Sequence, residues 1–151
     1  MAEILSSFSR DANSVPIITL GLTATKSITY SALTTGATGP TTLFTVTGDV
    51  VIRIFAKCTS DLTSGGAATI EVGISGNTAS LIAQTTATGI DTGEIWLDTS
   101  AATVEALPSQ FILVGGTDII QTIATDTITG GVLTYYCLWA PISTDGNVVA
   151  A

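Results

Sequence analysis

The chain has 151 residues, of which 12 are acidic and four are basic, and its formal net charge is −8. Four basic residues are too few to neutralise the phosphates of a nucleic acid or to hold the chain on an anionic membrane surface. Histidine is absent, which excludes Ser–His and Cys–His nucleophiles and histidine-ligated metals.

Charged residues make up only 11% of the chain, against about 25% in an average soluble domain. Threonine, serine, glycine and alanine stand in their place, and the mean hydropathy is +0.57. Two interpretations stay open: a neutral exterior coated with hydroxyl groups, or an exterior that other subunits cover, since interface cores are poor in charge. The length favours a single domain.

Residues 1–16 differ in character from the rest and are interpreted as an N-terminal arm. They carry Ile4, Leu5 and Phe8 among small polar residues, followed by Arg10. One interpretation is a loosely docked terminus. The other is an arm that lays its three apolar side chains into the groove of a neighbouring subunit.

A domain of β-strands is predicted over residues 17–142. The first two strands are expected at 17–23 and 27–33, bent apart near residues 24–26. A third is expected at 41–47, because threonine and other β-branched residues favour pleated backbone.

The next stretch, DVVIRIFAKC at 49–58, decides the fold class. Its even positions are all apolar, whereas its odd positions include Arg53 and Lys57. That period of two is typical of a strand with one face in the core. Wound as a helix, the same residues would be apolar nearly all round.

Further strands are expected at 69–74, 79–84, 94–98, 110–114, 118–124 and 131–140. Paired turn residues predict hairpins; these pairs are Gly65-Gly66, Gly76-Asn77, Gly115-Gly116 and Gly130-Gly131. Residues 101–107 are read as one or two helical turns with Ser100 as N-cap. The sequence therefore predicts an all-β, single-domain β-sandwich or jelly-roll-like barrel of about eight or nine strands. Residues 143–151 form a C-terminal tail in which Val148-Val149 could pair at a sheet edge.

Arg53 and Lys57 are expected on the same side of their strand, and two interpretations remain. They guard a sheet face and pair with an acid on a neighbouring strand, such as Glu71, or they dock an acidic patch on another subunit.

Carboxylates are the remaining candidates for chemistry. Asp91, Glu94 and Asp98 cluster beside Trp96, and paired acids could serve glycoside hydrolysis or gather a Ca²⁺ ion. The spacing matches no calcium loop, and acids at turns are usually solvated. We therefore expect no catalytic residue, no metal and no cofactor.

The segment VLTYYCLWAP carries aromatic residues on both faces of one expected strand. Tyr135 and Trp139 are candidates for an interface, and Trp96 and Trp139 are also the candidates for a sugar platform. Trp residues are more often core or rim residues than platforms.

Two cysteines, Cys58 and Cys137, are too few for a disulfide framework and are expected to be buried free thiols. Charges at positions 3, 10 and 11 interrupt any secretory signal, and no apolar run approaches the roughly 20 residues of a membrane span. Synthesis in a cytosol is expected.

Two passages resemble a known family: VTGDVVIRIFAKCTSDLTSGGAATIEVGISGNTASLIAQTTATGID (46–91) and TGGVLTYYCLWAPISTDGNVVAA (129–151). They are similar to small proteins that decorate, or cement, the capsids of tailed bacteriophages. The motifs that carry the resemblance are turn glycines, apolar strand residues and a C-terminal aromatic strand, and residues 1–40 contribute little.

The resemblance implies a structural virion protein that sits on the outside of the shell, often as a homotrimer, and braces the major capsid protein. Ile4, Leu5, Phe8, Arg10, Arg53, Lys57, Tyr135 and Trp139 are the candidate interface residues. The alternative is a carbohydrate- or receptor-binding β-module of a phage tail or fibre, which needs an exposed aromatic such as Trp96 or Trp139.

Overall fold

The computed structural model describes residues 21–151, which form a sandwich of two antiparallel β-sheets. Sheet I has the strand order β1-β10-β3-β6-β7, with β8 also paired to β3. Sheet II has the order β11-β2-β9-β4-β5. Both sheets are open at their edges, so the predicted sandwich is confirmed and its barrel alternative is not.

The eleven strands of the described residues outnumber the eight or nine predicted. Their bounds are β1 Leu22–Thr29, β2 Gly39–Thr47, β3 Val50–Ser64, β4 Thr69–Ile74, β5 Asn77–Thr86, β6 Ile95–Trp96, β7 Ala101–Ala102, β8 Phe111–Leu113, β9 Ile119–Ala124, β10 Ile128–Pro141 and β11 Asn147–Ala150. One 3₁₀ turn spans Ala87–Gly89. Within residues 21–151, no helix is long and apolar enough to cross a membrane.

The two longest strands, β3 and β10, form the centre of sheet I. They pair without interruption from Cys58 opposite Leu133 to Val50 opposite Pro141. Along this stretch of β3, alternate side chains are fully buried against sheet II. The period of two read from the sequence is therefore confirmed.

The core lies between the sheets and is built from residues of both. Its largest fully buried side chains include Trp96 and Tyr135 from sheet I and Phe44, Ile70 and Ile123 from sheet II. At about 25 cal/mol per Å² of apolar area, this shared layer is the main stabilising contribution to the fold.

Strand β1 differs from the prediction. Leu22 to Thr29 pairs with β10 in one unbroken register, so the bend expected near residues 24–26 is absent. The strand expected at 27–33 ends at Thr29, and a turn follows at 32–36. The polar side chain of Lys26 causes no break because its Nζ donates to Thr42 O (3.1 Å) and Ala151 O (2.6 Å), which joins the two sheets at this side.

Of the four predicted turn pairs, only Gly76-Asn77 joins strands of one hairpin, β4 and β5. Gly65-Gly66 and Gly115-Gly116 instead connect one sheet to the other. Gly130-Gly131 lies inside β10 at a register shift, where Gly131 has φ +107°. A turn signal in the sequence shows that the backbone needs glycine, but not which strands it joins.

The helical turn expected at 101–107 is also absent, since Ala101–Ala102 form β7 and pair with β6. Ser100 does not cap a helix; its N–H donates to Asp98 Oδ1 at 2.9 Å in a tight turn. At the other end of the chain, Val148 pairs with Val46 and is buried, so the pairing considered for Val148-Val149 occurs as strand β11.

Candidate docking surface

The outer face of sheet I carries both cations of the DVVIRIFAKC stretch. Because the even residues of β3 point into the core, Arg53 and Lys57 point outward, together with Val51 and Phe55. Lys57 is exposed and Arg53 is half-buried.

Strand β10 supplies the neighbours of these side chains. Leu138 lies opposite Arg53, Tyr136 opposite Phe55 and Thr134 opposite Lys57. The rings of Phe55 and Tyr136 stack with their centroids 5.2 Å apart and their planes inclined by 16°. An aromatic pair therefore sits between the two cations, in an arrangement set by register alone.

The ion pair considered with Glu71 is wrong. Glu71 belongs to β4 of sheet II, and its Oε2 accepts a hydrogen bond from Gln84 Nε2 at 3.2 Å. Arg53 Nε is buried and has no hydrogen-bond partner among the described residues. The interpretation in which Arg53 and Lys57 protect a sheet face by pairing with Glu71 therefore lacks that ion pair.

The described residues are acidic overall, but the outer face of sheet I carries two of their cations. Residues 21–151 contain three cations, Lys26, Arg53 and Lys57, and ten acids, since two of the 12 acids precede residue 21. Lys26 is bound to backbone oxygens between the sheets. Both remaining cations share the outer face of sheet I.

An apolar groove borders the face where the segment 105–108 crosses it. Phe55, Ile95 and Leu97 line it on the sheet side, and Glu105 and Leu107 line it on the segment side. A larger groove of about 330 Å³ adjoins it between Leu97, Leu107 and Phe111 of the same region and Leu81 of sheet II.

Exposed apolar side chains lie beside the same face. Ile112 is 67% exposed and pairs with Val51, and Val114, just beyond β8, is 62% exposed. Exposed apolar groups that are contiguous, unlike single ones, indicate a contact surface.

The outer face of sheet II has a different composition. Its outward residues include Thr45 and Thr47 on β2, Thr122 on β9 and Gln84 on β5, with Glu71 as its acid. This face is neutral to acidic and hydroxyl-rich, so the two sides of the sandwich are chemically distinct.

The candidate interface residues Tyr135 and Trp139 of β10 face inward, and so does Trp96 of β6. Tyr135 is fully buried and Trp139 is 9% exposed, so packing between the sheets accounts for both, and Tyr136 is the aromatic on the outer side. Trp96 is also fully buried, and its Nε1 donates to Thr85 Oγ1 (2.9 Å) and Asp98 O (2.8 Å). Neither tryptophan forms the exposed platform that a sugar-binding site requires.

Tyr135 takes part in a buried polar cluster that the sequence did not indicate. Its hydroxyl and that of Tyr30 each donate to Gln121 Oε1 at 2.8 Å, and the two hydroxyl oxygens are 3.1 Å apart. Burial raises the pKa of both tyrosines far above the usual value. These groups stay neutral and structural in the core.

The carboxylates of the acidic cluster, Asp91, Glu94 and Asp98, lie in turns, and two of them accept hydrogen bonds there. Glu94 Oε2 accepts from the N–H of Asp91 at 3.0 Å, and Asp98 Oδ1 accepts from Ser100. Asp61 joins them by accepting from both the N–H and the hydroxyl of Thr92, and this lowers its pKa. Across residues 21–151, no group of three or more such side chains is arranged to hold a metal ion.

Both cysteines are buried free thiols, as predicted. Cys137 lies opposite Ile54, four residues along β3 from Cys58, which corresponds to about 13 Å at 3.3 Å per residue. That separation is too large for a disulfide. Burial raises the pKa of both thiols, that of Cys137 to about 12.

Four of the candidate interface residues, Ile4, Leu5, Phe8 and Arg10, lie outside the described residues. The arm therefore stays a prediction. Of the remaining four, Arg53 and Lys57 lie together on the outer face, and Tyr135 and Trp139 do not. Phe55, Tyr136 and Leu138 share this outer face and were not among the candidates, although their alternation with buried neighbours was visible in the sequence.

Comparisons with known proteins rest on structure alone, since no protein-family profile and no curated protein matches the chain in sequence. A chain in the acid-stable capsid structure of the Helicobacter pylori bacteriophage KHP30 aligns with a TM-score of 0.56 and 7% identity, over 86% of this chain and 93% of that one. A chain in the capsid asymmetric unit of the cyanophage Pam1 aligns with a TM-score of 0.44 and 18% identity, over 90% and 96%. The KHP30 likeness shows that this chain has the fold of a chain found in a phage capsid.

Proposed function

We propose that the chain is a structural virion protein of a tailed bacteriophage that binds the outside of the capsid and braces the major capsid protein. The observation that carries the proposal is the fold shared with a chain of the KHP30 capsid. The resemblance noted for residues 46–91 and 129–151 points to the same role, although no protein-family profile and no curated protein matches the chain in sequence.

Two features of the described residues fit this role. The chemistry-bearing side chains are engaged in turns or in the core, and the outer face of sheet I offers a mixed apolar and cationic surface. A protein that binds assembled shells but not loose subunits stabilises the shell by its binding free energy, about 2.7 kcal/mol per site at a concentration 100-fold above Kd. A homotrimer would strengthen the effect through effective concentration.

The carbohydrate-binding alternative has no such support, because the tryptophans on which it depended are buried.

The experiment is to mix the purified chain with shells of the phage that encodes it, prepared without this protein. We expect the chain to co-sediment with shells, to raise their melting temperature, and to sediment alone as a trimer. Deleting residues 2–10 is expected to weaken attachment and leave the unfolding midpoint unchanged, if the arm anchors the protein. A chain that neither sediments with shells nor alters their melting would overturn the proposal.

A further inference from the structure

We propose that the outer face of sheet I, centred on the Phe55–Tyr136 stack and its two flanking cations, is the docking surface of this protein. Its occupant is a carboxylate-bearing surface of a different protein. This inference rests on the proposed function, under which that protein is the capsid subunit.

The first support is the state of Arg53. Arg53 is half-buried opposite Leu138, and its Nε is shielded from solvent without a partner among the described residues. A buried donor that stays unpaired is costly. If the guanidinium turns outward on docking, a partner carboxylate can accept from Nε and a second guanidinium nitrogen together, in the bidentate geometry that arginine favours.

The second support is charge complementarity. Ten acids dominate residues 21–151, yet the two cations not engaged between the sheets share this one face. Of the acids, Glu105 borders the face at its groove, Asp61 and Glu94 lie at its Lys57 end, and Glu71 lies on the opposite sheet. The centre of the face, between Arg53 and Lys57, carries no acid on β3 or on the facing part of β10. Complementary potentials across an interface fix register and suppress wrong partners.

The third support is the surface between and beside the charges. The stacked rings of Phe55 and Tyr136, Leu138 and the exposed Ile112 provide aromatic and aliphatic contact area. Aromatic residues and arginine are enriched at the centres of interfaces. The threonine-rich face of sheet II lacks this combination.

Two other occupants fit less well. A second copy docked face to face around a two-fold axis would bring the same cationic patch against itself, because such a contact uses one patch twice. A nucleic acid would be repelled by the net charge of −8, and two cations give it a minimal footprint.

The test compares two variants that each lower the net charge by one. Lys57→Gln removes the exposed cation of the docking face, and Thr45→Glu adds an acid to the exposed outer side of β2 in the other sheet. Both positions are exposed, so the core is untouched, and equal urea midpoints verify this. Arg53→Gln is a third variant that tests the unpartnered Nε.

Binding to shells lacking the protein is measured by co-sedimentation at about 50 mM and about 300 mM salt, since added salt screens exposed charge pairs. We expect Lys57→Gln to weaken binding by about tenfold at low salt and less at high salt, which corresponds to one charge-assisted contact. Thr45→Glu should bind within about twofold of the wild type.

Each other outcome overturns the inference in a recognisable way. If wild type binds and Lys57→Gln and Arg53→Gln bind equally well, the docking face is wrong and the proposed function stands. If Thr45→Glu weakens binding as much as Lys57→Gln, total charge matters and not the face. Salt-sensitive self-association that Lys57→Gln abolishes, or binding to a DNA duplex, would assign the face to another occupant. Absence of wild-type binding removes the proposed function and this inference with it.

Discussion

At the scale of single residues, the cluster of Tyr30, Gln121 and Tyr135 is the most exacting feature of the core. One amide oxygen accepts from both hydroxyls, while Gln121 Nε2 is buried without a partner among the described residues. The unpaired Nε2 offsets part of the gain from the two hydrogen bonds, because a buried polar group without a partner is costly. The two bonds to Gln121 Oε1 join β9 of sheet II to β10 and the end of β1 in sheet I.

Alkaline pH should destabilise the protein through this cluster. Burial raises the pKa of Tyr30 and Tyr135 in the folded state, whereas tyrosines in the unfolded chain titrate near pH 10. Their contribution is therefore complete below about pH 10 and is lost as pH rises further, by about 1.4 kcal/mol per pH unit for each tyrosine. Urea unfolding from pH 8 to pH 11.5 measures this loss.

Tyr135→Phe is the matched variant for that measurement. It should cost about 0.5–1.5 kcal/mol at pH 8 because one buried hydrogen bond is removed. Above pH 10 its free energy of unfolding should fall less steeply than that of the wild type, by about 1.4 kcal/mol per pH unit, because Tyr30 and the two buried thiols contribute to the slope of both proteins. Identical slopes for the two proteins would contradict the assigned pKa shifts.

At the scale of elements, β10 depends on one glycine. Gly131 adopts φ +107° at the irregular end of the β3–β10 ladder, where a Cβ would collide with Asp61 O and the backbone of Leu62. The irregularity lets the strand continue from its turn into the long regular pairing with β3. Glycine is required here for both conformation and space.

Gly131→Ala is therefore expected to destabilise the protein by about 2–4 kcal/mol, because backbone strain adds to a clash with main-chain atoms. Gly65→Ala is the control, since Gly65 has no positive φ and open space around its Cβ position. It should change stability by less than about 0.5 kcal/mol. Thermal and urea unfolding of both variants measure the two losses of stability. Equal losses would refute the requirement for glycine at the irregular end of the β3–β10 ladder.

The same elements show what sequence can and cannot predict. The alternation of β3 is a local property of consecutive residues, so its buried and outward faces were predicted before any pairing was known. Gly130-Gly131 and Glu71 were misjudged because their roles depend on which strand lies alongside, over 60 residues away for Gly131 and Asp61. Phe55 and Tyr136 were each on an outward face, but only the β3–β10 register brings their rings together.

At the scale of the whole molecule, strand pairing is unevenly distributed over sheet I. Its centre is the long β3–β10 pairing, whereas β6 and β7 contribute two residues each and β8 contributes three. The segment 97–110, which runs from β6 to β8 and includes β7, is mostly exposed and lines both grooves. The rigid part of the docking face is thus its β3–β10 centre, and its border at the grooves has few strand hydrogen bonds.

Hydrogen exchange should follow this division. Peptides from 52–58 and 133–139 are expected to exchange only through global unfolding, because β10 is paired on both sides along its stretch, β3 is paired with β10 throughout and with β8 or β6 near the ends of its stretch, and both strands are buried on one face. Peptides from 99–110 should exchange orders of magnitude faster, since exposed backbone with few partners opens locally at little free-energy cost. Gly131→Ala supplies the internal control: it should speed exchange in the central strands by its full loss of stability and leave 99–110 unchanged. Equal protection of both regions would mean that the segment beside the docking face is as firmly held as its centre, and that the face presents one rigid surface to a partner.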